Sequence, residues 1–318
     1  MRITNAAMVR GHLYDTQQNL SRMNKINEQI NSGKVINRIS DDPHKTIKIM
    51  NINSEIKYTE KYNYNIDETI GWMDTADSSL DNFGNLIGGI KDDILKVGNG
   101  TYSQEEMKAL NKEMNEKIKE MADVLNSTYG GEYMFGGTNL EEAPIKVIEN
   151  PDGTVRLEIN PNSNTDDLKA DISDGTSIDY NVSVGEIFNV KDPNGNNINL
   201  LDEVNKVSQL MNKIAYSDEQ TAAKAKEELL GDTKKGIDKL FDHTLDERTA
   251  LGARVSIVEE IKNLNNDNIL NMKSILSINQ DVDQVEKFIE LKSAELVYQA
   301  SIQVGTRLIQ PTILDYMR

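Results

Sequence analysis

Apolar residues recur along most of this chain at intervals of three and four, the rhythm of helices that bury one stripe. From Asn5 to Asn31, Val9, Leu13, Leu20, Met23 and Ile30 keep that rhythm, while Thr16 and Asn27 stand where it calls for apolar side chains. The pattern predicts a helix with a narrow, interrupted seam. Gly33 can take the left-handed conformation that closes it. Asp42 can then cap a second helix, with Pro43 in its first turn. In that second helix Ile66, Met73, Leu80, Ile87 and Ile94 recur every seven residues, accompanied by Ala76, Phe83, Ile90 and Val97. The stripe stops at Gly98-Asn99-Gly100. Ser103 and Glu106 form a capping box for a third helix striped by Met107, Leu110, Met114, Ile118, Met121 and Leu125. So short a turn between two matched stripes predicts an antiparallel pair.

The texture changes at Tyr129-Gly130-Gly131. Between about Ala143 and Asn199 the chain is rich in Asn, Asp, Gly and Pro and carries short alternating runs. Lys146–Glu149 and Thr154–Ile159 flank the turn Asn150-Pro151-Asp152-Gly153 and predict a β-hairpin. Ile178–Val184 and Ile187–Val190 are further strand candidates. Helical periodicity resumes over Leu201–Ala215. Capping boxes at Ser217–Gln220 and Thr244–Glu247 predict helices over Thr221–Phe241 and from Ala250 to about Ile278, the latter striped by Leu251, Val255, Val258, Ile261, Ile269, Met272 and Leu276. A last helix, about Val282–Ile309, carries Leu291, Ala294, Tyr298, Ile302, Gly305 and Leu308 before Pro311 ends it. The expected fold is mainly α with a β-rich insert: an α+β, multidomain chain whose two arms build an elongated, coiled-coil-like helical bundle.

Composition narrows what such a fold does. The 318 residues include 37% hydrophobic and 5% aromatic positions, with one tryptophan, Trp72. That is lean for a single compact globule and suits narrow packing. A net charge of −17 disfavours phosphate backbones and anionic membrane surfaces, so neither nucleic-acid binding nor membrane insertion is expected. No apolar run is long enough to span a bilayer, and the first twenty residues lack the apolar core of a secretory signal. Cysteine is absent, which excludes disulfides and thiolate chemistry. His12, His44 and His243 have no metal-ligand spacing, and Tyr129–Thr138 lacks the ending of a phosphate loop. The pairs Asp41-Asp42, Asp92-Asp93 and Glu105-Glu106 suit helix starts and solvated faces. Asp281-Val282-Asp283 has no glycine at the sixth place of a calcium loop. We therefore expect no enzyme, no cofactor and no metal.

The seams are what remain. Six apolar side chains on the last helix cannot offset the cost of ordering its backbone alone, and the first helix is weaker still. The two ends order best among copies of themselves or partners.

Particular motifs then resemble a family. Met1-Arg2-Ile3-Thr4 and Ser32-Gly33-Lys34-Val35-Ile36-Asn37-Arg38-Ile39-Ser40-Asp41-Asp42-Pro43 look like the N-terminal signature of the flagellin superfamily, and of its hook–filament junction branch more than of flagellin itself. Gly131–Thr138, Leu251–Val255, Asp281–Asp283 and the ending from Tyr298 through Leu314-Asp315 are similar in the same order. His44-Lys45-Thr46 and Ile39 depart from the family pattern.

The resemblance implies termini (1–40 and 280–318) that are unfolded in the free monomer and helical in the assembly. It implies a helical bundle over 41–140 and 200–279, with the 141–199 insert projecting outward. The implied assembly interface is Leu13, Leu20, Met23, Ile30, Leu291, Ala294, Tyr298, Ile302 and Leu308. The implied joint is Gly33, Arg38, Asp41, Asp42, Pro43, Asp281 and Asp283, with Arg38 near one of the latter two acids. Implied partners are other copies of the chain in a ring, hook-associated protein 1, flagellin, and an export chaperone on the C-terminal helix. The implied location is the bacterial flagellum, outside the cell, reached without a cleaved signal peptide by type III export. Flagellin itself is the close alternative, and a cytoplasmic coiled-coil scaffold the distant one.

Overall fold

The computed structural model describes residues 5–98, 102–191 and 197–309. Met1–Thr4, the Asn99-Gly100 end of the second helix, Pro311 and Leu314-Asp315 lie outside them. Packing divides the chain into two units, one of residues up to Glu60 and from Asn266, the other Lys61–Asn265. This division falls some twenty residues inward of the expected one on the first arm, and the insert belongs to the same unit as the bundle.

In the first unit, α1 (Asn5–Ser32) contacts α8 (Gln284–Ile309), and the start of α2 (Pro43–Gly98) meets the end of α7 (Lys234–Gln280). Ile52, Ile56 and Ile269 form the small core of that second contact, with Met272 and Leu276 against it.

The second unit is built mainly on helices packed along α2. The seven-residue recurrences are buried as expected: Ile66, Met73, Leu80, Phe83, Ile87 and Ile94 on α2 are fully buried, as are Met114, Ile118, Met121 and Leu125 on α3 (Gln104–Leu125). Contacts between α2 and α3 run in opposite order, Ser79 with Ser127 at 3.1 Å and Asp93 with Lys117, so the pair is antiparallel. The Ser103/Glu106 capping box forms. Along α7, Lys262 pairs with Asp67, Arg248 with Asp77 and Asp81, and Asp238 with Lys91, an antiparallel ladder down α2.

Three expectations about this unit are corrected. Thr244 caps nothing: its hydroxyl donates to the Leu240 carbonyl at 2.8 Å inside a continuous 47-residue α7. Ser217 ends α5 (Leu200–Tyr216) instead of opening a box, and α6 (Glu219–Glu228) starts at Asp218 without a side-chain cap. The interruption comes at Leu229–Thr233, a single π-helical turn leading into α7. Third, Ser183 with Glu186 makes a capping box for a short α4 (Val184–Phe188) where strands were expected.

The insert consists of two-stranded ribbons. Hairpin β1–β2 (Thr128–Tyr129, Glu132–Tyr133) turns through Gly130 and Gly131, both at positive φ, so the glycine-rich stretch is a tight turn. Then come β3–β4 (Ile145–Glu149, Val155–Ile159), β5–β6 (Lys169–Ser173, Thr176–Asp179) and β7–β8 (Asn189–Lys191, Asn197–Asn199). A lone two-stranded ribbon is marginal in water and leaves its outer edges unpaired. Here helix side chains take the place of neighbouring strands. Asn205 of α5 accepts from the Leu157 amide at 2.8 Å and donates to its carbonyl at 3.0 Å. Ser208 accepts from the Val155 amide at 2.8 Å and donates to Asn115 of α3 at 2.7 Å. Asn126 grips Ile145 in the same two-sided way.

Candidate assembly interface

The α1–α8 pair carries the candidate site. On α1 the residues shielded from solvent are Val9, His12, Thr16, Asn19, Met23, Ile26, Gln29 and Ile30, a seam one position away from the leucines. On α8 they are Lys287, Glu290, Leu291, Ala294, Glu295, Tyr298, Ser301 and Gly305. The helices run antiparallel: Thr16 Oγ1 lies 3.0 Å from Ser301 Oγ, and a Cβ on Gly305 would come within 2.6 Å of His12 Nε2. Small and polar residues thus let the two backbones approach at the far end. Ile26, 4% exposed, and Leu291, 8% exposed, are the pair's only fully buried apolar residues among those described.

Of the expected interface residues, Met23, Ile30, Leu291, Ala294 and Tyr298 lie in this seam. Leu13, Leu20 and Ile302 do not. Leu13 is 57% exposed and Ile302 45%, because α1 and α8 pack on each other through the adjacent stripe. The Leu308 side chain lies outside those described. Sequence reasoning missed His12, Thr16, Asn19 and Ser301, polar residues in seam positions. The signal that finds Thr16 is the seven-residue spacing of Val9, Thr16, Met23 and Ile30, and the one that finds His12 and Asn19 is their seven-residue spacing with Ile26, both read without regard to polarity. Outside the seam, α8 also exposes Val285, Phe288, Ile289, Leu296, Val297 and Val304. These single helices show far more apolar surface than their mutual contact covers.

The residues expected to form the joint lie inside the first unit, where backbone hydrogen bonds tie the two arms together. Gly33, at φ 69°, ends α1, and its carbonyl accepts from the Val282 amide at 3.0 Å. Lys34 bridges Asp281, and the Val35 amide donates to the Gln280 carbonyl at 2.8 Å. Gln29, buried, donates to the Val35 carbonyl at 2.7 Å. Asp42 caps α2 by accepting from the Lys45 amide at 3.0 Å, with Pro43 as the helix's first residue. Asp283 caps α8 by accepting from the Val285 and Glu286 amides at 2.9 and 3.1 Å. Asp281 accepts from the Ser277 hydroxyl at 2.6 Å.

Arg38 departs from expectation. Its guanidinium lies 3.4 Å from Glu28, not beside Asp281 or Asp283, whose carboxylates face hydroxyl and amide donors. Its backbone amide instead donates to Asp41 at 3.2 Å. The Lys25 ammonium, 2.9 Å from Asp41, and that amide together hold the Asp41 carboxyl below its ordinary range.

The other chemistry-bearing residues are scattered. His44 is exposed on the first turn of α2, and His243 Nε2 lies 2.9 Å from the Glu186 carbonyl oxygen. Among the described residues no three metal-ligating side chains converge, and no helix is long and apolar enough to cross a membrane.

Comparison with known proteins fits this geometry. Residues 4–140 match the family described as bacterial flagellin N-terminal helical region. A flagellin of Listeria innocua is 23% identical over 289 residues, 91% of this chain and 88% of that protein. A Vibrio parahaemolyticus structure described as a flagellar hook-associated protein superposes with a TM-score of 0.63 at 18% identity, covering 76% of this chain and 99% of that one. The flagellar junction protein FlgL of Legionella pneumophila superposes with a TM-score of 0.58 at 16% identity, over 73% and 99%. Residues 4–140 are thus similar to a flagellin N-terminal helical region, and the chain has the fold of the solved hook-associated proteins.

Proposed function

We propose that this protein is a structural adaptor of the bacterial flagellum, joining hook to filament through α1 and α8. In this reading copies of the chain form a ring between hook-associated protein 1 and flagellin, outside the cell. The single observation that carries it is the imbalance of the α1–α8 pair. Its mutual seam is narrow and partly polar, while Leu13, Leu20, Ile289, Leu296, Val297 and Ile302 stay exposed. Apolar area on that scale is covered in functional assemblies. The same reading makes the terminal helices a chaperone's target during type III export and leaves them unfolded in the free monomer. It assigns no catalytic role.

Deleting residues 1–35 and 285–318 tests it. The expected product is a soluble, folded core with little change in melting temperature and no incorporation into flagella. Collapse of the core, or normal incorporation, would overturn the reading.

A second reading, flagellin itself, is favoured by the Listeria relatives, which bear that name. Pro43 and Tyr133-Met134-Phe135 weigh against it by their departure from flagellin's pattern. Filament formation by the purified protein alone would decide for it.

A further inference from the structure

A cleft in the second unit takes no part in the terminal pairing. Trp72 of α2 forms its floor, 5% exposed, with the rings of Tyr129 and Tyr180 set edge-on to it, each at 5.7 Å between centroids. The open cavity above measures about 590 Å³. Glu68, Glu132 and Asp171 stand around it, all exposed, and none has an ion-pair or hydrogen-bond partner for its carboxylate among the described residues. Lys169, the cation on the same wall, is engaged by Asp179 at 3.4 Å. The indole Nε1 of Trp72 is buried without an acceptor, an uncommon and costly state for an indole N–H. Burial, helped by the nearby Glu132 charge, holds the Tyr180 phenol above its ordinary value, and both residues line the cleft.

Three uncompensated carboxylates over an aromatic floor select a cation that also has a flat face. We propose that this cleft binds an arginine side chain presented by an extended segment of another polypeptide. A guanidinium stacks on tyrosine faces while its edge donates to carboxylates, and a small shift of the indole on binding brings its orphaned N–H within reach of a carbonyl oxygen of the peptide that carries it. A neutral ligand leaves the three charges unanswered. A phosphate-bearing or acidic ligand is repelled by them and by the net charge of −17.

Trp72 is the chain's only tryptophan, so its fluorescence and its single indole N–H resonance report on this cleft alone. The probe is a capped Gly-Arg-Gly tripeptide titrated into the full chain, against the isosteric citrulline peptide at matched ionic strength. Saturable shifts of both signals are expected, with a Kd on the order of 1 mM, suited to one anchoring residue. The citrulline peptide binds at least about tenfold more weakly. The double variant Glu68→Gln/Glu132→Gln, at exposed positions that leave the fold intact by circular dichroism, weakens arginine binding about tenfold. Glu227→Gln on α6 leaves it unchanged. Equal binding of the two peptides, absence of saturation, or undiminished binding by the double variant would overturn the proposal.

Discussion

Individual residues read well from sequence where backbone geometry dictated them. Gly33 had to turn, Asp42 had to cap and Pro43 had to start a helix, and each does. Charged side chains read poorly, because a long flexible cation finds its partner only once the backbone is placed. Arg38 went to Glu28, on its own arm, while Asp281 and Asp283 were claimed by Ser277 and by two amides. Glu247 shows the same dependence on tertiary context. Its sequence neighbourhood marks it only as the end of a capping box that does not form, yet burial is the largest influence on it, and its carboxyl is raised above the ordinary 4.5. His243, with Nε2 3.8 Å away, and Arg254 oppose the shift, while Glu186 and Asp246 add to it. A carboxyl with a raised folded-state pKa binds its proton more tightly when folded, so its contribution is most favourable in acid and is lost as pH rises through the folded value. Glu247→Gln removes that penalty. Urea unfolding should show the variant more stable than the parent at about pH 7, with the gap closing as the pH falls towards about 4. A gap that widened in acid would contradict the burial argument.

At the scale of elements, the long helices were legible because seven-residue recurrence is a strong, repeated signal. The fine divisions were not. Thr244 and Ser217 both satisfy the capping-box pattern, but helix propagation through Thr244 lets its hydroxyl bond the preceding turn instead. The π-turn at Leu229–Thr233 has no sequence signature of its own. The ribbon edges were also invisible, although Asn115, Asn205 and Asn265 did leave a trace as buried asparagines inside helices, where asparagine is a poor helix former. Their use is to stand in for absent strands. Asn205→Ala leaves the Leu157 amide and carbonyl buried without partners, and should cost about 2–6 kcal/mol at ~1–3 per orphaned group. Chemical denaturation measures this, and amide exchange at Leu157 should rise first. A loss under about 0.5 kcal/mol would show that water satisfies the edge and that the clamp is not structural.

At the scale of the whole molecule, α1 and α8 divide their apolar residues between an inward seam and an exposed face, and the proposed function gives docking to the exposed one. The seam of α1 is set by spacing, and Thr16 and His12 occupy it despite their polarity, while Leu13 and Leu20 lie one position away and face solvent. A sequence reading that follows hydrophobicity picks the leucines, and one that follows the heptad picks the seam. The two answers differ because the chain has two faces to satisfy, one within itself and one outside. Leu13→Ser/Leu20→Ser/Leu296→Ser removes outward apolar surface only. Its unfolding free energy should stay within about 0.5 kcal/mol of the parent, since exposed apolar side chains contribute little to the folded chain. Recovery of the protein in sheared flagella should nevertheless fall to background. Ile26→Ala acts on the inward face, and should cost about 2–4 kcal/mol locally once the helices are ordered in the assembly, read as faster amide exchange along α1 and α8 in the protein within sheared flagella. If the triple serine variant still reached the flagellum, the outward face would not be the one that docks. If instead it unfolded the terminal pair, those leucines would belong to the intrachain seam after all.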